Sequence, residues 1–383
     1  MLPMGGFVMH TARTIPLFIV LVLTATVPAI VAKDIDRLEI GSPCPEFSLP
    51  GVDDKTHRLI DFADARLLVV VFTCNHCPTA QAYEDRIIKL HADYRSRGVQ
   101  LIAISPNDPV AVRLDELGYT DVGDTLDDMK YHANRVGFRF PYLYDGETQE
   151  VSTAFGVLAT PHVFIFDEQR NLRYNGRIDD ADIKPPTSRD ARKAIDELLA
   201  GSPVSVATTR VFGCSTKWAE KRASARQSLA RWEAEPVSLK EIEAGPLKEL
   251  VANKTESYRL VNLWSTTCVP CIAEQPDFVT INRMYRKRHF ELITILTDDA
   301  ALKDVALKAL RKNKVSSRNV VFTGGDRDEL AEIVDSEWQG PLPYTVLIAP
   351  GGKIVKRWSD EIDPQEVKTT LANALGRTYA SRK

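Results

Sequence analysis

The sequence lacks the marks of a nucleic-acid-binding or multi-span membrane protein. Basic and acidic residues nearly balance, 49 Lys and Arg against 52 Asp and Glu, for a net charge of -3. There is no basic stripe with interleaved aromatics, so nothing supports a phosphate-backbone partner. Beyond residue 32 no stretch is long and apolar enough to cross a bilayer. Cysteine is scarce, with six residues in 383: Cys44, Cys74, Cys77, Cys214, Cys268 and Cys271. Four of the six fall into two Cys-x-x-Cys pairs, Cys74/Cys77 and Cys268/Cys271. The pairs lie far apart, each with its own strand and helix, which argues against one shared zinc knuckle. The expectation is no metal and no cofactor. Two alternatives stay open: a single Cys-x-x-Cys can also hold Cu(I) on soft thiolates, or one domain is redox-active and the other a docking module.

The length favours two domains, and 44% apolar with 26% charged residues is ordinary for globular cores. The N-terminus differs. Arg13 precedes Ile15-Pro-Leu-Phe-Ile-Val-Leu-Val-Leu-Thr-Ala-Thr-Val-Pro-Ala-Ile-Val-Ala32. A cation, a short apolar run and small residues read as a secretory signal over 1–32, with an uncleaved membrane anchor as the alternative. Either way the rest of the chain is expected outside the cytoplasm, where disulfides persist.

Each Cys-x-x-Cys closes an apolar strand and opens a helical pattern. Leu67-Leu-Val-Val-Val-Phe-Thr leads into Cys74-Asn-His-Cys77, and Tyr258-Arg-Leu-Val-Asn-Leu-Trp leads to Cys268-Val-Pro-Cys271. Redox thiol chemistry needs this order. A sulfur at a helix N-terminus meets unpaired N–H groups and the positive end of the macrodipole, which favours thiolate. The second cysteine can then resolve a mixed disulfide. The spacing predicts a helix from about 75 to 97, with Tyr83, Ile87, Leu90 and Tyr94 on one face. Val99 to Ile104 reads as the next strand of a βαβ unit, and 106–137 as a polar insertion. Pro161 and Pro343 each stand just before a buried strand, a place suited to a cis peptide in a tight turn. In the second half, Leu239 to Val251 reads as a helix, Val320 to Phe322 as an edge strand, and Pro276 as a helix kink.

These patterns resemble the thioredoxin fold twice over. Gly41-Ser-Pro-Cys-Pro-Glu-Phe-Ser-Leu-Pro-Gly, the Phe-Thr-Cys-Asn-His-Cys-Pro run and Tyr174-Asn-Gly-Arg-Ile-Asp-Asp are similar to exported peroxiredoxin-like (AhpC/TSA, redoxin) proteins. Val211-Phe-Gly-Cys214-Ser-Thr-Lys-Trp218 also matches that subfamily. Cys268-Val-Pro-Cys271-x-x-Glu274-x-Pro276, with Pro343, resembles TlpA/ResA-type thioredoxin domains, although Thr267 stands where that family usually has Trp. The expected organisation is an α/β protein of two thioredoxin-like domains, each a central mixed sheet flanked by helices. They would span 36–201 and 237–383, joined by a 202–236 segment with a helix whose face includes Trp218, Ala225 and Leu229. The resemblance implies that Thr160-Pro161 and Leu342-Pro343 lie opposite the dithiols and hold substrate. The peroxidase motif Pro-x-x-x-Thr-x-x-Cys does not fit at Cys74 or Cys77, so dithiol exchange is expected rather than peroxidase activity.

The expected roles follow. Cys74 and Cys268 attack, Cys77 and Cys271 resolve, and the partners are protein dithiols and disulfides. His76 can place a cation beside Cys74 and stabilise the reduced form; otherwise it is a solvated helix-start residue. Glu274 can take the proton of the resolving thiol; otherwise it is an exposed first-turn Glu. Cys214 has three readings: a third redox thiol near Cys74 and Cys77, a disulfide partner of Cys44, or a buried bystander.

Overall fold

Both faces of Leu67 to Phe72 are covered, which is why this strand carries no polar side chain. The computed structural model describes Met1, Gly5, Gly6 and residues 36–379; apart from those three residues, the expected signal segment lies outside the described residues. No helix of the described residues is long and apolar enough to cross a membrane.

A hairpin comes first, β1 (Ser48–Pro50) against β2 (Thr56–Arg58). Then follow β3 (Leu67–Phe72), α1 (Pro78–Tyr94), β4 (Val99–Ser105), α2 (Leu126–Val136) and β5 (Tyr142–Tyr144). After them come α3 (Glu150–Phe155), β6 (Ala159–Thr160), β7 (His162–Phe166), β8 (Leu172–Gly176) and α4 (Asp190–Leu199). The main sheet has the order β5-β4-β3-β7-β8, parallel from β5 to β3 and antiparallel beyond. Alternate residues of β3 feed two cores. Val69 and Val71 pack with Tyr83, Ile87 and Leu90 of α1 and with Ala194 and Ile195 of α4. Leu68, Val70 and Phe72 face Phe155, Phe164 and Phe166, with Phe72 edge-on to Phe155 at 5.1 Å. Truncating a ring in such a cluster costs about 3–5 kcal/mol.

The chain then forms β9 (Cys214–Ser215) and α5 (Arg222–Glu233). On the helix face read from the sequence, Ala225 is buried but Leu229 stays exposed. The second half runs β10 (Lys240–Ile242), α6 (Ala244–Ala252), β11 (Tyr258–Trp264), α7 (Val269–Ala273), α8 (Gln275–Tyr285) and β12 (Phe290–Leu296). It ends with α9 (Lys303–Lys312), β13 (Arg318–Phe322), α10 (Arg327–Val334), β14 (Tyr344–Ile348), β15 (Ile354–Trp358) and α11 (Pro364–Leu375). Its sheet order is β10-β13-β12-β11-β14-β15, the same arrangement with one more strand.

That extra strand corrects two expectations. Residues 240–242 extend along β13 instead of starting the lead-in helix, which begins only at Ala244. β13 is therefore interior rather than an edge. At Pro276 the helix is divided, with α7 ending at Ala273 and Pro276 in the first turn of α8, where its missing N–H is harmless. Both Thr160-Pro161 and Leu342-Pro343 are cis. Residues 36–379 lie within one compact unit. Its halves meet where Arg288 donates to Gly118 O and Tyr285 Oη donates to Thr120 O at 2.7 Å.

Candidate active site

Pro78 fixes where α1 can start. Proline suits the first helical position, so the N-cap falls on Cys77 and not near Asn75 as the spacing suggested. Cys77 Sγ accepts from Ala80 N at 3.4 Å. The sulfur at the helix end is therefore Cys77, and Cys74 lies in the turn before it. Cys77 is disulfide-bonded to Cys214, with Cα atoms 5.9 Å apart. Cys74 is a free thiol and 3% exposed. Thr160 touches both sulfurs of the motif: its Oγ1 is 3.2 Å from Cys74 Sγ, and its carbonyl oxygen is 3.5 Å from Cys77 Sγ.

His76 is buried, not a solvated helix-start residue. Its Nδ1 meets Asp124 Oδ2 at 2.5 Å. Asp124 also accepts from Asn75 N at 2.9 Å and from Asn107 Nδ2 at 2.8 Å. Burial works against a charge on His76, but the negative charge of Asp124, helped by Cys74, outweighs it and pushes the imidazole up to about 10. Asp124 is held below the usual carboxylate range, burial opposing and His76 prevailing. Ligand atoms of Cys74, His76 and Asp124 lie within 4.8 Å of one another. Three such donors could hold a metal ion.

Cys214 is brought in by β9, which pairs antiparallel with β6 (Ala159 with Ser215, Thr160 with Cys214). The chain just beyond is clamped. Lys217 N donates to Asn107 Oδ1 at 2.9 Å, and Lys217 O accepts from Gln149 Nε2 at 2.9 Å. Asn107 thus supports both Asp124 and the Cys214 segment. A cavity of about 330 Å³ opens beside the disulfide, lined by His76, Pro78, Tyr119, Cys214, Lys217 and Tyr379 among others. Cys214 thus lies beside Cys77, to which it is bonded. The Cys44 pairing is not formed: Cys44 is a free, buried thiol packed with Phe47 and Leu172, and burial pushes it up to about 12.

The second motif is arranged as the sequence suggests. Cys268 is the N-cap of α7, its Sγ accepting from Cys271 N at 3.3 Å, and it forms a disulfide with fully buried Cys271. Cys268 itself is half-buried, and Leu342 packs in the same cluster. Glu274 is not an exposed first-turn residue. At 1% exposure it accepts from Asn262 Nδ2 at 3.1 Å and from Ile362 N at 3.2 Å. Burial pushes its carboxyl up to about 7. Asp124, Asn107 and Gln149 have no counterpart in the sequence reading. Their only signal there is their position in or near the polar insertion.

Comparison with known proteins places the first site in a family. Residues 40–175 match the AhpC/TSA family. This part of the chain is an AhpC/TSA domain. It contains Cys74, His76, Cys77, Asp124 and Thr160, while Cys214 lies outside its matched span. The thiol-disulfide oxidoreductase ResA of Geobacillus thermodenitrificans (strain NG80-2) is 25% identical over 177 residues, 45% of this chain and 90% of that protein. Among solved structures, an uncharacterized conserved protein from Geobacillus kaustophilus is 36% identical, covering 47% of this chain and 92% of that one, with a TM-score of 0.43. A thiol:disulfide interchange protein of the thioredoxin family from Chlorobium tepidum TLS is 20% identical, covering 43% of this chain and 99% of that one, with a TM-score of 0.31.

Proposed function

We propose that the protein is an exported thiol–disulfide oxidoreductase with two sulfur sites that exchanges disulfides with partner proteins. The observation that carries this reading is the Cys268–Cys271 pair. Its outer cysteine is partly exposed at a helix N-terminus and its inner cysteine is fully buried. That asymmetry is what attack by a partner requires. A partner thiolate attacks Cys268 Sγ, the Cys268–Cys271 bond breaks, and Cys271 leaves as thiolate. Glu274, buried three residues further on and held near neutrality, is the proton donor for that sulfur. The partner's second thiol then attacks its own sulfur in the mixed disulfide. The partner is released oxidised and Cys268 and Cys271 are left reduced. The reverse sequence reduces a partner disulfide.

The second half is read as a further thioredoxin-like domain, because its strand order repeats the first and each central strand ends in Cys-x-x-Cys. Electrons can then pass from one site to the other when their potentials differ. Export is read from the N-terminal cation and apolar run.

The test is a redox titration of the full chain, trapping each thiol with a label and locating it by peptide mass. Reversible two-electron transitions involving Cys268/Cys271 and the Cys74, Cys77, Cys214 group are expected. Stoichiometric Cu(I) capture without disulfide exchange would overturn the reading in favour of a copper-binding protein.

A further inference from the structure

The three sulfurs of the first site differ in access. Cys77 is fully buried, Cys74 is 3% exposed, and Cys214 alone is partly exposed, on the wall of the cavity. The edge of β6 that faces them is already taken. Thr160 touches Cys74 and Cys77, and its strand partner is Cys214 itself. Any chain that paired with β6 to bring a sulfur to Cys77 would need the place β9 occupies. The fit is close. A Cβ on Gly213 would lie 2.1 Å from Thr160 O, and Gly213 has a φ of +151°, so only glycine lets the strand approach this far. The second half differs: among the described residues no strand pairs with Leu342, which precedes cis Pro343.

We propose that Cys214 is the partner-facing sulfur of the first site, carried on a tethered strand that occupies the groove where a partner chain would otherwise pair. The proposal rests on the oxidoreductase reading above and names the residue through which that site meets protein dithiols. A partner thiolate entering the cavity attacks Cys214 Sγ. The Cys77–Cys214 bond breaks, and Cys77 leaves as thiolate at the N-terminus of α1, where Ala80 N–H already faces it. The partner's second thiol attacks its own sulfur in the mixed disulfide and releases Cys214, so the partner gains a disulfide and Cys77 and Cys214 gain the electrons. Cys74 supplies the internal branch. Its thiolate attacks Cys77 Sγ, a Cys74–Cys77 bond forms, the Cys77–Cys214 bond breaks, and Cys214 takes up the proton that Cys74 gave up. That step moves the disulfide inward with no net oxidation.

The experiment uses the full chain and a synthetic two-cysteine peptide. Reduced Cys77→Ser protein is offered the peptide as a mixed disulfide with thionitrobenzoate, and the attached peptide is located by mass. Access predicts about tenfold or more attachment at Cys214 over Cys74. Attachment mainly at Cys74 overturns the proposal. In the second arm, oxidised Cys214→Ser protein carries the Cys74–Cys77 disulfide and oxidises the reduced peptide at that site about tenfold or more slowly than the parent chain. An unchanged rate also overturns it. Exchange at Cys268–Cys271, read in the same molecules, reports whether each variant is folded. If the parent chain exchanges with the peptide at neither site, the oxidoreductase reading itself fails, and this inference with it.

Discussion

Replacing Asp124 by Asn tests the charge assignment at the first site. Asp124 and His76 are both almost fully buried, and Asn keeps the shape while removing the charge. With its imidazole at about 10, His76 holds its proton at about pH 7 by a margin of about 4 kcal/mol. Without Asp124 the ring gives up that proton, so about 4 kcal/mol bounds the loss from this source. The figure agrees with the roughly 3–5 kcal/mol typical of removing one partner from a buried ion pair. The sign follows from linkage. The folded value lies above the ordinary histidine value, so this stabilisation is complete below about pH 6.5 and decays as pH rises through about 10. Parent and Asp124→Asn proteins should therefore differ most near about pH 6.5, still differ strongly at neutral pH and converge toward about pH 10. Urea unfolding followed by circular dichroism across that range measures the gap. A variant as stable as the parent at neutral pH would refute the ion pair. A gap that stayed constant up to high pH would instead assign the loss to the Asn75 and Asn107 hydrogen bonds.

Three further outcomes are expected. Glu274, raised to about 7 by burial, stabilises the fold below about pH 4.3, and that contribution is lost as pH climbs through about 7. Glu274→Gln should flatten this slope in unfolding experiments and remove the step near neutrality from the rate of Cys268–Cys271 exchange with a reduced peptide. Asp121, fully buried, accepts from Thr369 Oγ1 at 2.7 Å and pairs with the guanidinium groups of Arg135 and Arg377, so Asp121→Ala should destabilise by about 3 kcal/mol and speed hydrogen exchange in α11. Tyr285→Phe leaves the carbonyl of Thr120 without the hydroxyl that donates to it at 2.7 Å and should lower stability by about 1–2 kcal/mol, seen as a lower urea midpoint with an unchanged slope.

Most of what was legible in the sequence is local. The apolar run Leu67 to Phe72, the one-face spacing of Tyr83, Ile87, Leu90 and Tyr94, and Pro161 and Pro343 just before their strands are short-range patterns, and the structure keeps them. Pro78 was an available signal for the helix start that the apolar spacing overrode; read as an N1 proline, it puts Cys77 at the cap. What stayed hidden depends on long-range closure. Cys214 meets Cys77 across 137 residues, and no spacing rule distinguishes that partner from Cys44. Asp124 is one of several acids in a polar insertion, and only the fold shows that it reaches His76. β10 was misread because Lys240 to Ile242 is too short to show alternation, and its strand character comes from pairing with β13.

The insertion that concealed Asp124 also joins the two sulfur sites. Asp124 holds His76 beside Cys74. Four residues earlier, Thr120 O accepts from Tyr285 on α8, the helix that directly follows the one carrying Cys271. Asp121, between them, is tied to α11 and to Arg377, and Tyr379 Oη lies 3.9 Å from Cys214 Sγ. One stretch of about five residues therefore touches the charge that faces the first site, the helix layer of the second half and the terminal segment over Cys214. The sites it connects are built for different access. At the second, the outer cysteine caps its helix and, among the described residues, the edge at Leu342 has no strand on it. At the first, the inner cysteine caps the helix and the chain's own β9 covers the edge. A tandem of equal sites would have no use for that difference. The proposed pair, in which one site meets partners directly and the other through a tethered cysteine, does.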